Sequence, residues 1–311
     1  MKKVEIVILN YNGWEDTIEC LNSLQSTISN TNYIINVLIV DNGSDNDSVI
    51  ELQKWMENSY IEHSTIHSIN EKSQKEKIIL LSLNTNYGFA GGCNRGIEYS
   101  LNSLKADYVM LLNNDTVVEE GFIEPLITKI ENDETIGIIS SEIHEYFDRQ
   151  TFFLGGAISY SRCSGYHNYN SRELNMRNVT FLSGCLWLIR GEAIKTCGLL
   201  DEKYFLYIED VDYCYRMAES GYRLTCTKES VIYHKESRST KSKPIISYYN
   251  TRNRLYFCKK IKRKKLKKAF FYFYFFFSRI IKCILMPQNT KYIYLGVKDY
   301  INGRMGNYYA N

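Results

Sequence analysis

A chain of 311 residues that is 44% hydrophobic, 14% aromatic and 23% charged can bury a sizeable core. Disordered, collagen-like and disulfide-miniprotein classes are thereby excluded. The net charge of +3 hides an asymmetry: residues 241–311 hold 17 of the 38 basic residues and one acid, Asp299, so this tail carries +16 and residues 1–240 carry −13. An acidic body argues against nucleic acid as a partner, because polyphosphate affinity comes from a basic face. Nine cysteines without a CxxC pair fit a reduced, cytoplasmic compartment.

In chain order, residues 4–9, 37–40, 78–83 and 108–112 are short runs rich in Val, Ile and Leu, and helix-like stretches cover 14–26, 44–57 and 91–104. Glu5 interrupts the first apolar run and Asn10 to Asn12 follow it, so the N-terminus reads as a strand and not as a signal peptide. Nearly continuous apolar strands separated by helices predict a doubly wound, mostly parallel α/β sheet, with ligands at the carboxyl ends of the strands. Those ends carry Asn10–Asn12, Asp41 to Ser44, residues 84–92 and Asn113 to Thr116, the polar, Gly-rich chemistry of a nucleotide site.

Residues 60–77 read as a polar surface insertion, in which His63 and His67 have helical spacing but no third ligand nearby; solvated histidines are the expected state. Further strands are expected over 135–140, 179–189 and 223–233, and helices over 191–196 and 209–220, the latter with acids in its first turn. In the tail, eight of the ten residues 259–268 are basic and an aromatic run covers 270–277. Ser278, Arg279 and Lys282 make the stretch to Met286 a poor membrane-spanning helix. An amphipathic helix at an anionic membrane surface, held by residues 259–286, accounts for both features, the alternative being a helix docked on the core.

Three constellations carry chemistry. An apolar strand ends in Asn113-Asn114-Asp115-Thr116, and a hard divalent cation shared with phosphates takes one or two carboxylates of this kind; an Asx-turn would use the same side chains. An aromatic run, residues 204–207, leads into Glu209-Asp210 at a helix start, where an acid among aromatics can have its pKa raised to a general-base value. One of the two carboxylates can also cap the helix. His234 follows a strand that can return it to the ligand end of the sheet.

This set resembles glycosyltransferase family 2, inverting enzymes with the type A nucleotide-sugar transferase fold. The matching residues, in family order between 4 and about 240, are Ile8-Leu9-Asn10-Tyr11-Asn12, Val40-Asp41-Asn42-Gly43-Ser44, the 86–94 loop with Gly88 and Asn94, Leu112-Asn113-Asn114-Asp115, Ser183-Gly184, residues 205–212 and His234. Arg252-Asn253-Arg254 and Gly303-Arg304-Met305-Gly306 resemble the tail of the rhamnosyltransferase-like branch. The resemblance implies a catalytic domain over 1–240, with a nucleotide half to about 120 and an acceptor half after it, and a basic, aromatic helical region over 241–311. It implies that Asn10, Tyr11, Asp41, Gly88, Asn94, Asn113, Asn114 and Asp115 hold the donor, Asp41 accepting from a uracil or thymine ring N–H. Asp115 and His234 would bind Mg²⁺ or Mn²⁺, Asp210 would be the catalytic base, and Ser183, Gly184, Trp187 and Glu209 would line the acceptor side. Asn113 departs from the family's DXD motif and removes one negative charge, as in rhamnosyltransferase-like members.

The expected activity is transfer of a sugar, L-rhamnose or similar, from a TDP- or UDP-linked donor to a saccharide or polyprenyl-linked acceptor in cell-surface polysaccharide synthesis, on the cytoplasmic face of the membrane. The rivals are a nucleotidyltransferase and a non-catalytic, membrane-associated nucleotide-sugar-binding protein. The first strand's turn, Asn10 to Trp14, lacks the cations of a triphosphate loop, and the full set of carboxylates and His234 argues against lost activity.

Overall fold

The computed structural model describes residues 1–29, 33–71, 76–150, 152–168, 179–235 and 244–308. The N-terminal half alternates as expected: β1 (Lys3–Asn10), α1 (Trp14–Ser29), β2 (Ile34–Asp41), α2 (Ser48–Asn58), β3 (His63–Ile66), β4 (Ile78–Ser82), α3 (Gly88–Asn102), β5 (Tyr108–Asn113), β6 (Thr116–Val118) and α4 (Ile123–Glu131). There follow β7 (Ile136–Glu145), β8 (Phe152–Phe153), β9 (Gly156–Ser159), β10 (Ser164–His167), β11 (Leu186–Arg190), α5 (Gly191–Cys197), α6 (Glu209–Glu219) and β12 (Arg223–His234). Three helices close the chain, α7 (Ile245–Lys260), α8 (Lys265–Leu285) and α9 (Thr290–Ile301).

The main sheet runs β3-β4-β2-β1-β5-β11-β7-β12-β6, with β8 beside β7, while β9 and β10 form a separate hairpin. Its first five strands are parallel; β11 lies antiparallel between β5 and β7, and β12 is parallel to β7. Alternate residues of β1 face opposite layers, as strand geometry requires. Ile6 and Ile8 pack with Leu21 and Leu24 of α1, Leu52 of α2 and Leu126 of α4, whereas Val7 packs with Ala90 and Ile97 of α3, Val211 of α6 and Leu255 of α7. The result is a sheet covered by helices on both faces.

Two expectations change. Residues 63–66 are not part of an insertion: they form the edge strand β3, paired parallel with β4. The His63 ring nitrogen Nδ1 contacts the Ile61 carbonyl at 2.8 Å, so helical spacing with His67 does not apply. The strand expected over 179–189 is confined to Leu186–Arg190, the preceding segment being a loop that brings Ser183 and Gly184 to the carboxyl end of β5. The boundary expected near residue 240 lies outside the described residues, but α7 after it is part of the core, with Tyr248, Leu255, Phe257 and Cys258 buried. Glu5, read as a break in an apolar run, is fully buried in the central strand. Asn36 Nδ2 donates to its Oε1 at 2.6 Å, Oε2 has no hydrogen-bond partner, and burial pushes its carboxyl up to about 7.

Candidate active site

The carboxyl ends of β1, β2 and β5 lie side by side, because the register pairs Asn10 with Asp41 and Leu9 with Asn113. Asn10 Nδ2 donates to Asp41 Oδ2 at 2.7 Å, and Ser44 donates to the same carboxylate through N (3.0 Å) and Oγ (2.6 Å). Asp41 is buried, and these three bonds leave acceptor capacity on Oδ1 for one further donor. Tyr11 stands beside them at 45% exposure, available as a platform for a ring.

The neighbouring loop is tied from two sides. Asn42 donates to Asn86 Oδ1 and to the Gly88 carbonyl and accepts from the Tyr87 amide. Gly88 has φ +74°, and a Cβ there would strike the Phe205 carbonyl, whose oxygen accepts the Phe89 amide at 2.7 Å. Only glycine permits this approach without strain. Asn94 is buried in α3, its amide spent on the Leu200 backbone and Glu202, all at 3.0 Å. The structure therefore makes Asn94 a clamp between α3 and the segment leading to the carboxylates, in place of the expected donor contact. Asn114 likewise spends its amide on the Gly13 carbonyl and Thr17 Oγ1, closing the turn.

Asp115, in the turn between β5 and β6, and His234, at the end of β12, meet because β12 pairs antiparallel with β6, His234 opposite Thr116. His234 Nε2 is 3.1 Å from Asp115 Oδ1, and Lys235 N donates to the Asp115 carbonyl at 2.9 Å. Burial would raise the Asp115 acid, but the His234 contact and charge, its own backbone amide and Lys235 outweigh it and hold the carboxyl below its usual range. Burial opposes the charged form of His234, yet Cys185 and Asp115 raise its pKa well above the ordinary value. Asp115 Oδ1 is buried without a hydrogen bond of acceptable geometry, although the His234 nitrogen stands beside it. An orphaned carboxylate oxygen facing an imidazole nitrogen fits a divalent cation. Among the described residues no group of three His, Cys, Asp or Glu converges, so oxygens from phosphates would have to complete the shell.

Asp210 lies at the start of α6, partly exposed. Burial raises its acid, hydrogen bonds from the Val211, Gly184 and Asp210 amides oppose this, and the balance is a pKa of about 6. Val211 N reaches Asp210 Oδ1 at 2.7 Å. The same loop joins Asp210 to the Asn113–Asp115 turn: the Gly184 amide bonds Asp210, and the next residue, Cys185, accepts the Asn113 amide through its carbonyl at 2.9 Å. A Cβ on Gly184 would lie 3.6 Å from Asp210 Cβ and from Phe89. Glu209 is buried, and burial together with the neighbouring Asp210 and Asp212 pushes its acid well up; its Oε2 has no hydrogen-bond partner. Trp187 does not line the acceptor side: it is fully buried in β11, stacked 5.5 Å from Tyr213, with Nε1 donating to the Leu182 carbonyl.

The segment entering α6 is strained. Phe205, Tyr207 and Ile208 have φ of 63°, 67° and 74°, and such left-handed residues cost on the order of 1–3 kcal/mol each. Two buried side chains of α7 hold it. Asn253 Nδ2 donates to the carbonyls of Tyr204, Leu206 and Tyr207 at 3.0, 2.8 and 2.9 Å. Arg252 donates to the Tyr204 carbonyl at 3.1 Å and to the Gly306 carbonyl at 2.8 Å, its guanidinium 5.1 and 5.2 Å from the Tyr248 and Tyr249 rings. Sequence reasoning placed these residues in a tail motif and missed this role. The available signal was the pair of polar side chains inside an otherwise buried helix.

A covered, mostly parallel sheet with this ligand end defines a type A nucleotide-sugar transferase fold. The profile of glycosyl transferase family 2 matches residues 5–198, and that of glycosyl transferase family group 2 matches residues 108–297. The chain belongs to glycosyl transferase family 2. It is 28% identical over 222 residues to the low-salt glycan biosynthesis hexosyltransferase Agl10 of Haloferax volcanii, an alignment covering 68% of this chain and 61% of that relative. It is 35% identical over 72 residues to the N-acetylglucosaminyl-diphospho-decaprenol L-rhamnosyltransferase of Mycobacterium tuberculosis, covering 23% of this chain and 24% of that one. Among solved structures, S. aureus TarS 1–349 in complex with UDP-GlcNAc shares the fold at TM-score 0.60 and 16% identity, over 97% of this chain and 81% of that chain. The mannosyltransferase PcManGT from Pyrobaculum calidifontis, in complex with GDP-Man and Mn²⁺, does so at TM-score 0.56 and 11% identity, over 96% and 86%.

Proposed function

We propose that this chain is a metal-dependent inverting hexosyltransferase that moves a sugar from a TDP- or UDP-linked donor to a saccharide carried on a polyprenyl lipid, at the cytoplasmic face of a membrane. The observation that carries the reading is the short link from Asp210 through Gly184 and Cys185 to Asn113 and the Asp115–His234 pair. This link supports reading Asp210, whose pKa is near neutral, as the base and Asp115 with His234 as the cation ligands at the carboxyl ends of the strands.

Asp41 accepts the ring N–H of the base, with Tyr11 against its face, and the 86–92 loop borders the nucleotide. Asp210 takes the proton of the acceptor hydroxyl. The oxygen forms its bond to the anomeric carbon as the bond to the diphosphate breaks on the opposite face, so configuration inverts and a nucleoside diphosphate leaves. A divalent cation held by Asp115 and His234 would offset the charge of that leaving group. Asn113, neutral where a carboxylate is usual, leaves less negative charge against the phosphates. The protonated form of Glu209, favoured by burial, keeps a second negative charge away from the base. L-rhamnose and a decaprenyl-type acceptor are the finer reading, supported by the M. tuberculosis relative over the matched 72 residues.

The direct test is Asp210→Asn. Donor binding should persist while transfer falls by at least about 100-fold, the scale of a lost general base. Transfer at the parental rate would remove Asp210 from the mechanism.

A further inference from the structure

Arg279 and Lys282, the charges that interrupt the apolar stretch of the tail, do not lie on the outward face of α8. Its outward face is apolar instead: Leu266, Phe270, Phe273, Phe277, Ile280 and Ile284 are between 57% and 82% exposed, at spacings of three and four residues. Arg279 turns inward. Its guanidinium and that of Arg254, a buried residue of α7, lie 5.3 and 5.2 Å from the same Phe275 ring, which is fully buried between them. Arg254 Nε donates to the carbonyl of Arg162 at 2.7 Å, and the Arg162 side chain reaches over Tyr274 of α8 at 6.0 Å. Lys282 follows Arg279 by one turn, and the charges of Arg279 and Arg254 act on it after burial does.

Four cations thus converge where α7, α8 and the β9–β10 hairpin meet. Among the described residues, no carboxylate makes an ion pair with any of them, and Arg279 Nε is buried without a hydrogen-bond partner. Burial and the neighbouring Arg279 push the Arg254 guanidinium down to about 10. Guanidinium groups drawn out of water without counter-charge, as those of Arg254 and Arg279 are, are costly, whereas Arg162 is exposed and Lys282 half-buried; an anion with several oxygens relieves that cost. The opposite, N-terminal end of α8 borders a separate cavity of about 250 Å³ between Tyr160, Ile261, Leu266 and Phe270, rimmed by Arg263 and Lys268.

We propose that Arg162, Arg254, Arg279 and Lys282 seat the diphosphate of a lipid-linked acceptor, whose hydrocarbon chain lies against the exposed apolar face of α8. The inference rests on the glycosyltransferase reading and deepens it by locating the acceptor's anchor. An exposed apolar helix face of this length calls for an apolar partner, and an interfacial position supplies one. The cluster differs from the exposed lysines of residues 262–268, which suit a diffuse attraction to anionic headgroups. Arg254 is recessed and directly follows Asn253, whose side chain holds the carbonyls leading to Asp210. The hairpin bearing Arg162 packs through Gly165 on Phe181, two residues before Ser183. Two of the three elements that supply the cluster, α7 and the hairpin, therefore also border the segments around Asp210 and Ser183.

The test uses the full chain with farnesyl diphosphate as probe, against farnesol and inorganic diphosphate, and with UDP and TDP binding measured in parallel. The unaltered protein should prefer farnesyl diphosphate to both fragments. Arg279→Gln should weaken it by about tenfold or more, the scale of losing a charge-assisted contact, with nucleotide binding unchanged. Arg162→Gln, at an exposed position, should weaken it in the same direction and serves if Arg279→Gln does not fold. Lys264→Gln/Lys265→Gln/Lys267→Gln should loosen attachment to phosphatidylglycerol vesicles and spare farnesyl diphosphate. Equal affinity for farnesol, an unchanged affinity in both arginine variants, or control by the lysines alone would overturn the proposal. A chain that binds farnesyl diphosphate in this manner but no nucleotide would instead overturn the transferase reading and leave the lipid seat standing.

Discussion

Asn253 donates to the Tyr207 carbonyl across 2.9 Å, from a helix that begins more than thirty residues after Asp210 to the strained segment three residues before it. One amide nitrogen serves three carbonyls within the four residues 204–207, and Arg252 adds a fourth bond and reaches on to Gly306. The C-terminal helices thereby hold the segment that leads into Asp210.

Asn253→Ala removes three of those bonds and should lower kcat by roughly 10–100-fold, the scale of a displacement near 1 Å at a reacting group. The donor KM should stay within about twofold, because Asp41 and Asp115 are held elsewhere, a factor well below one tenfold step of affinity. Steady-state kinetics decide it: a rise in donor KM with kcat intact would assign Asn253 to the nucleotide site.

Asp210 acts as a base only when ionised, and burial raises its pKa to about 6. The rate at saturating substrate should be level above about pH 7 and fall by about tenfold per pH unit below pH 5, with the midpoint near 6. A pH profile of kcat from pH 4.5 to 8.5 checks this; a rate that climbs as pH falls would contradict a carboxylate base.

Asp115→Asn should raise the Mn²⁺ concentration that half-saturates activity by at least about tenfold, and His234→Ala should do likewise. Titration of each variant with Mn²⁺ is the measurement. Activity indifferent to both substitutions and to chelator would place the cation elsewhere or remove it from the reaction.

Glu5 gives a pH dependence of stability that is separate from catalysis. Its folded pKa, raised from 4.5 to about 7, favours the protonated acid in the folded state. That stabilisation is complete below pH 4.5 and is lost as pH rises through 7, by on the order of 3 kcal/mol at most. Glu5→Gln should match the parent near pH 5 and exceed it in urea midpoint at pH 8. Equal midpoints at both pH values would mean that Glu5 is ionised and solvated in the folded chain.

The strands of the nucleotide half could be read from the sequence because β1, β2, β4 and β5 are buried on both faces and appear as unbroken Val, Ile and Leu runs. The helix at Glu209 could be read from its acids and from Gly221 beyond its end. β3 could not: His63 to Ile66 is an edge strand with a polar side, indistinguishable from a loop until it pairs with β4. Site residues divided by what their neighbours ask of them. Asn94 stands within a matching motif and Trp187 just beyond one, but long-range partners, Leu200 and Glu202 for one and Tyr213 for the other, give them structural tasks that no local pattern shows. The tail's charge pattern showed that a basic, aromatic helix exists. Which side faces water depends on α7, since Arg254 draws the Phe275 side of α8 inward.

The central claim is a metal-assisted nucleoside-diphosphate site at the ends of β1, β2 and β5, and a thermal-shift panel of UDP, TDP, GDP and ADP with Mn²⁺, Mg²⁺ or chelator tests it most directly. At about 100 times its dissociation constant a ligand stabilises the fold by roughly 2.7 kcal/mol, well within reach of such a scan. The account predicts a metal-dependent shift with UDP or TDP that GDP and ADP do not match, and that Asp115→Asn abolishes. No shift with any nucleotide, or a shift indifferent to chelator, would contradict it.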